Sequence, residues 1–113
     1  MKNLDHYERL VARFPEVQRK GKAMPYTSLN GHMFTFYDKE DKVSIRFSDS
    51  ELEAFLEKYS TVKSIQHNSV MHGYAIIPQD LLEDTDTLAH YFQQSLDYIG
   101  SLKPKPTKKP AKK

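Results

Sequence analysis

Residues 30–59, NGHMFTFYDKEDKVSIRFSDSELEAFLEKY, read turn, strand, turn, strand, helix. Asn30-Gly31 signals a two-residue hairpin, because a type I′ turn needs φ > 0 at both central positions. An aromatic-rich strand follows from His32 to Tyr37, then a polar turn from Asp38 to Lys42. Val43-Ser44-Ile45-Arg46-Phe47 alternates, setting Val43, Ile45 and Phe47 on one face and Ser44 and Arg46 on the other. Ser48 with Glu51 forms a capping box, in which the serine hydroxyl accepts from the Glu51 amide and the glutamate reaches back. The helix it opens carries Leu52, Phe55, Leu56 and Tyr59 on one stripe. Burying these four side chains contributes roughly 1.5–3 kcal/mol each before entropy is subtracted, so the helix is expected to lie on the sheet.

Working outward, Asn3 is positioned to cap a first helix with Leu4, Tyr7, Leu10, Val11 and Phe14 on its apolar face. Asp5 lies four residues before Arg9, a favourable acid-to-base pair. Pro15 stops this helix, and residues 16–22 read as a polar connector. A short strand within residues 23–29 supplies the first arm of the Asn30-Gly31 hairpin, with Pro25 marking an edge or a strand start. Beyond the second helix, residues 62–67 and 71–77 read as two more strands joined through His67-Asn68-Ser69-Val70. Tyr74-Ala75-Ile76-Ile77 is the longest apolar run and suits a central strand. A last helix carries Leu88, Tyr91, Phe92, Leu96 and Ile99 on one face. Asp84 and Asp86 sit at its positive end, and Gly100 suits the position just past its end. The order α-β-β-β-α-β-β-α predicts an α+β, two-layer domain over residues 1–102: a mostly antiparallel five-stranded sheet with helices on one side.

The 113 residues suffice for one domain. Hydrophobic residues make up 38% of the chain, and 6 Phe and 7 Tyr predict an aromatic-heavy core. The absence of cysteine rules out disulfide and thiol chemistry, which fits a reducing compartment. The first residues lack the apolar run of a signal peptide, and no segment approaches the ~20 apolar residues of a membrane span. A cytoplasmic protein that does not engage membranes is expected. The net charge of +2 is unevenly spread. Lys103, Lys105, Lys108, Lys109, Lys112 and Lys113 stand among prolines in a stretch without acids. The remaining 11 basic and 15 acidic residues leave residues 1–102 at −4. Residues 103–113 are expected to be a disordered Lys/Pro-rich tail.

Candidate chemistry is sparse. His67 and His72 are an odd number of residues apart and face opposite ways on a continuous strand; without cysteine or a close third ligand they make a poor metal pattern. The Asp38–Lys42 turn has acidic spacing like a calcium loop. Lysine at its fifth position and no glycine at the sixth break that pattern, leaving a solvated turn. Glu53 and Glu57 share a helix face opposite the apolar stripe, where an exposed like-charge pair does no acid–base work. Nucleophile elbow, phosphate loop and dinucleotide fingerprint are all missing. No enzymatic activity, cofactor or metal is expected. Met24, Met33 and Met71 are candidates for an adaptable groove, against their commoner use as core fillers. Phe34, Phe36 and Tyr37 resemble base-stacking sheet aromatics, but Phe34 and Phe36 share a face without an interleaved cation, so a packed core is expected.

Arg9, Arg13, Arg19, Lys20 and Lys22 form the basic cluster of the body, interleaved with Asp5, Glu8 and Glu16. With the six tail lysines they are the candidate contacts for weak, non-specific nucleic-acid binding, whose salt slope is roughly −0.7 to −0.9 per phosphate contact.

Several segments together resemble the TfoX/Sxy N-terminal-domain family. These are Asn30-Gly31-His32-Met33-Phe34; Val43 to Ser48 followed by Glu51 to Tyr59; Met71-His72-Gly73-Tyr74-Ala75-Ile76-Ile77-Pro78; and Leu81-Leu82-Glu83-Asp84 with the helix to Leu102. The likeness covers nearly all of residues 4–102. Met24-Pro25-Tyr26 stands where the family has an MFG-like start. The resemblance implies a two-layer fold like that of secretion chaperones and YjbR-type proteins, and kinship with regulators of natural competence. Those regulators carry a second, C-terminal domain, so a competence role is not carried over. The family supplies no catalytic residues. The expected function is a non-enzymatic interaction or regulatory module, acting on a protein partner or by self-association as a homodimer, through apolar surface on the open sheet face. The alternative is a nucleic-acid-binding accessory using the basic cluster and tail.

Overall fold

The computed structural model describes residues 3–21, 24–66 and 69–102. Four helices and six strands follow in the order α1 (Leu4–Ala12), β1 (Arg19–Lys20), β2 (Tyr26–Leu29), β3 (His32–Tyr37), β4 (Val43–Arg46), α2 (Asp49–Tyr59), β5 (Lys63–Gln66), β6 (Ser69–Ile76), α3 (Gln79–Leu82) and α4 (Thr85–Ser101). The strands form one open sheet in the order β1-β2-β3-β4-β6-β5. Every neighbouring pair is antiparallel. An α+β class is therefore what the chain adopts. The expected five strands and three helices are corrected to six and four among the described residues. In the stretch read as a connector, Gly21 adopts φ 84, so the chain reverses and Arg19–Lys20 pairs with Tyr26 and Thr27. The fourth helix, α3, is a single turn after Pro78.

Cross-strand register sorts the side chains into two faces. Thr27, Thr35, Ile45, Ala75 and Lys63 form one row across the sheet, and Tyr26, Phe36, Ser44 and Ile76 form another. The first row belongs to the helix side, where Ile45 and Ala75 join Val43, Phe47, Leu52, Phe55, Leu88 and Phe92 in the core. On this side the Tyr7 hydroxyl of α1 meets Thr35 Oγ1 at 2.8 Å, and Thr35 Oγ1 meets Thr27 Oγ1 at 2.6 Å. Burial of Tyr7 pushes its hydroxyl far above the ordinary tyrosine pKa.

β3 departs from the expected alternation. Thr27 pairs with Thr35, but Ser28 pairs with Met33, so Phe34 is an extra residue in the ladder. Such a bulge turns two successive side chains to one face. Phe34 accordingly packs edge-on to Phe92 of α4, with ring centroids 5.3 Å apart, while Thr35 also faces the helices. Phe36 lies on the other face against Tyr74, 5.3 Å away. The expectation that Phe34 and Phe36 share a face is thus overturned, although both are buried.

Local signals elsewhere act as read. Asn30 and Gly31 both take positive φ, 55 and 82, and β2 and β3 meet across them. Ser48 caps α2: its hydroxyl accepts from the Glu51 amide at 3.4 Å and donates to Glu51 Oε1 at 3.0 Å. Two end signals differ. Asn3 makes no side-chain cap. Its amide instead donates to the Asp41 carbonyl at 2.8 Å and exchanges hydrogen bonds with the Gln79 amide at 3.0 and 2.9 Å. Gly100 lies inside α4, which runs on to Ser101 with Leu102 as its cap. A Cβ at Gly100 would meet Leu29 at an ordinary 3.7 Å, so the packing there does not force a break.

Candidate interaction surface

The β5–β6 hairpin is set by how α2 ends. Ser60 takes φ 52, a left-handed turn that stops the helix, and its amide donates to the Leu56 carbonyl. Thr61 Oγ1 then donates to the Ile76 carbonyl at 2.8 Å, and Ile76 N donates to the Val62 carbonyl at 3.0 Å. These bonds seat β5 beside β6 at the end of the sheet. The ladder pairs Lys63 with Ala75 and then Ile65 with Val70, so the register shifts at Ser64 and residues 71–74 of β6 span the place of that one residue, while Tyr74 stays paired with Arg46 of β4. Gly73, at φ 89, gives this detour a backbone conformation that other residues rarely adopt.

The hairpin leaves aliphatic surface uncovered. Val62 is 62% exposed, Ile65 59% and Val70 46%. Ile65 and Val70 are direct cross-strand partners and so share a face. Exposed apolar side chains therefore gather on the outer hairpin. The centre of the open face, where they were expected, carries Phe36 and Tyr74, both buried. The Tyr74 hydroxyl donates to the Met33 carbonyl at 2.6 Å, and burial pushes its pKa up to about 12, with nearby Arg46 opposing the shift. Of the methionines read as a groove, Met24 is exposed and Met33 and Met71 are half-buried.

The described members of the basic cluster stay near the surface of α1 and β1. Arg9 Nη2 lies 2.9 Å from His6 Nδ1, rather than in the Asp5 pair that helical spacing implied. Arg13 forms an ion pair with Asp86 of α4, and Arg19 Nε lies 2.6 Å from Glu8 Oε1. Lys20 is exposed. Lys22 and the lysines at 103, 105, 108, 109, 112 and 113 lie outside the described residues, as does His67. His72 is exposed, and no group of three or more His, Cys, Asp or Glu able to hold a metal ion occurs among the described residues. Glu53 and Glu57 are both exposed on α2.

The Asp38–Lys42 turn is only partly solvated. Asp38 is buried, and its Oδ1 accepts from the amides of Glu40 at 2.8 Å and Lys42 at 3.2 Å. Asp41 Oδ1 accepts from the Asn3 backbone N–H at 2.9 Å and from the Tyr37 hydroxyl. These carboxylates are spent on the protein's own backbone and side chains. The recesses behave likewise. One of about 220 Å³ is lined by Asn3, Asp41, Pro78 and Gln79, whose polar groups bond to one another or to the backbone. Another of about 450 Å³ between α1 and α4 is lined by Arg13, Phe14, Asp86 and His90, with its two charged groups paired.

No protein-family model matches the chain, and comparison with curated proteins and with solved structures gives no match. No helix among the described residues is long and apolar enough to cross a membrane.

Proposed function

We propose that this protein is a non-enzymatic interaction module, related to the TfoX N-terminal domain and YjbR-like in fold, that acts in the cytoplasm through contact with protein. The observation that carries this reading is the exposure of Val62, Ile65 and Val70 on one outer hairpin. Aliphatic side chains grouped at a sheet end lower their free energy by about 25 cal/mol for each Å² that a partner covers. The Arg13–Asp86 pair at one recess and the engagement of Asp41 with Asn3 and Tyr37 at the other support the same reading, since these groups are taken up within the protein.

The test compares immobilised wild-type chain with Ile65→Asp and with Arg9→Ala/Arg13→Ala. Captured proteins are identified, purified and re-bound. Ile65→Asp is expected to weaken the purified interaction at least tenfold, with little change for the arginine variant. Loss of binding in the arginine variant alone, reproduced with DNA or RNA in place of protein, would replace this reading with the nucleic-acid one.

A further inference from the structure

We propose that Arg46, held over Tyr98, is a recognition site for the oxyanion of a small ligand, a carboxylate or a phosphate. The site lies where β4 ends beside α4. It does not depend on Val62, Ile65 or Val70, and so goes beyond the interaction-module reading.

The four arginines of the chain fall into two groups. Arg9, Arg13 and Arg19 are exposed, and each has a side-chain partner in His6, Asp86 or Glu8. Arg46 is half-buried, and its guanidinium has no hydrogen bond and no ion pair among the described residues. Those residues include every Asp and Glu of the chain, so no side-chain carboxylate neutralises it. Elementary electrostatics predicts the reverse, because the cation most withdrawn from water gains most from a partner. The counter-charge for Arg46 is therefore assigned to a molecule outside the chain.

The guanidinium can be reached by such a molecule. Among the described residues, the unpartnered side-chain polar atoms that are sealed from solvent are the hydroxyls of Ser44 and Ser64, not the nitrogens of Arg46.

The side chain is also held in place. Ser95 Oγ of α4 donates to the Arg46 carbonyl. Tyr98 stands three residues further along α4, and the Arg46 guanidinium carbon lies over its ring, 5.8 Å from the centroid. Gly73 of β6 adjoins the aliphatic stem: a Cβ there would stand 3.3 Å from Arg46 Cγ, tighter than side chains ordinarily pack. Stacking on a tyrosine uses the flat face of the guanidinium and leaves its edge of N–H donors free. That edge matches two oxygens of a carboxylate or phosphate, and a fork fixed in advance loses little entropy on binding. The C-terminal end of α4 also favours a cation nearby through the helix dipole, but that attraction supplies no acceptor for the N–H groups.

The experiment is a proton–nitrogen NMR titration of the full chain at neutral pH and constant ionic strength, with inorganic phosphate in one arm and succinate in the other. The arginine Nε–H resonances are followed, together with the backbone amides of Gly73 and Tyr98. Arg46 Nε–H is expected to shift saturably with a Kd of roughly 1–10 mM for at least one anion, while Arg9, Arg13 and Arg19 shift little. Saturation by phosphate alone identifies a phosphate ligand, and by succinate alone a carboxylate ligand. Arg46→Lys keeps the charge but loses the fork, and is expected to weaken binding roughly fivefold or more at the Gly73 and Tyr98 amides. Tyr98→Leu removes the ring and is expected to weaken binding at Arg46 Nε–H, whereas Tyr98→Phe keeps the stacking face and retains it. No saturable shift of Arg46 with either anion, an equal drift of all four arginines, or undiminished binding by Arg46→Lys or Tyr98→Leu would overturn the site. The wild-type titration decides the matter even if a variant fails to fold.

Discussion

Replacing Phe55 with alanine takes away the ring on which the α2–α4 contact converges. Phe55 is 3% exposed. Its centroid lies 5.0 Å from Phe47 of the sheet side, 4.8 Å from Tyr59 and 5.0 Å from Tyr91 of α4. The transfer free energy of a buried Phe is about 1.5–3 kcal/mol, and each well-placed ring pair adds about 0.5–1.5 kcal/mol. The neighbours sit on three different elements and cannot all collapse into the void, so a cavity cost also remains. Phe→Ala in such a site costs about 3–5 kcal/mol. Domains of this size are stable by only about 5–15 kcal/mol. With a urea m-value near 2 kcal/mol/M, the unfolding midpoint is expected to fall by about 1.5–2.5 M while m stays constant. Leu56→Ala, on the half-buried flank of the same helix, provides the comparison and should cost less. A loss below about 1 kcal/mol for Phe55→Ala, or a larger one for Leu56→Ala, would show that α2 presents a different face to the sheet.

Asn3→Ala strips the Asp41 carbonyl and the Gln79 amide of partners in a part-buried site; a cost of about 1–3 kcal/mol in urea unfolding is expected, and a neutral result would show that water replaces the side chain freely. The hydroxyls of Tyr7 and Tyr74 are held above the ordinary tyrosine pKa, Tyr74 at about 12, chiefly by burial. The unfolded chain therefore ionises first as pH rises past 10, and stability declines from there. Tyr74→Phe should flatten the part of that decline between pH 10 and 12, leaving the part due to Tyr7. Asp84, whose carboxyl is held below the usual range by the Thr87 hydroxyl and amide, acts oppositely. Its contribution is present above the unfolded carboxylate pKa and is lost as pH falls through the lower folded value, so Asp84→Asn should reduce the acid sensitivity of unfolding. Fluorescence titration of mixed DNA and RNA across a salt series should show residues 1–102 unbound at near-physiological salt. Any binding by the full chain should carry a steep salt slope, and salt-insensitive binding by 1–102 would contradict the assignment of cations to the tail.

Features encoded within a few residues were legible in the sequence. Asn30-Gly31, the Ser48–Glu51 box and the stripes of α2 and α4 depend on neighbours three or four positions away, and the chain obeys them. What was missed depends on residues far apart. Asn3 looks like a cap until Asp41 and Gln79, 38 and 76 positions away, compete for its amide. Phe34 and Phe36 look like one face until the ladder to β2 skips a residue, and two-residue β1 exists only because β2 is there to pair with. Ser95 escaped notice because its use is remote: its hydroxyl donates to the Arg46 carbonyl across the α4–sheet contact. For the candidate surface, Val62 and Ile65 were legible as strand residues, whereas Val70 reads as part of the connection and lies in β6 as the partner of Ile65. Their exposure follows from strand order, which places β5 last, and no local pattern carries that information.

That order also decides how the molecule comes apart. α2 delivers the chain from β4 to β5, yet β6 occupies the place beside β4, so among the described residues β5 pairs with β6 alone. Its backbone bonds can open without disturbing the ladder between β3 and β4 or the layer of helices over Ile45. In native-state hydrogen exchange, the amides of β5 should therefore belong to a separate low-energy opening unit, while those of β4 exchange only with global unfolding. The strand that is cheapest to release is also the one whose aliphatic side chains stand in water, so capping it with another strand would raise its protection most.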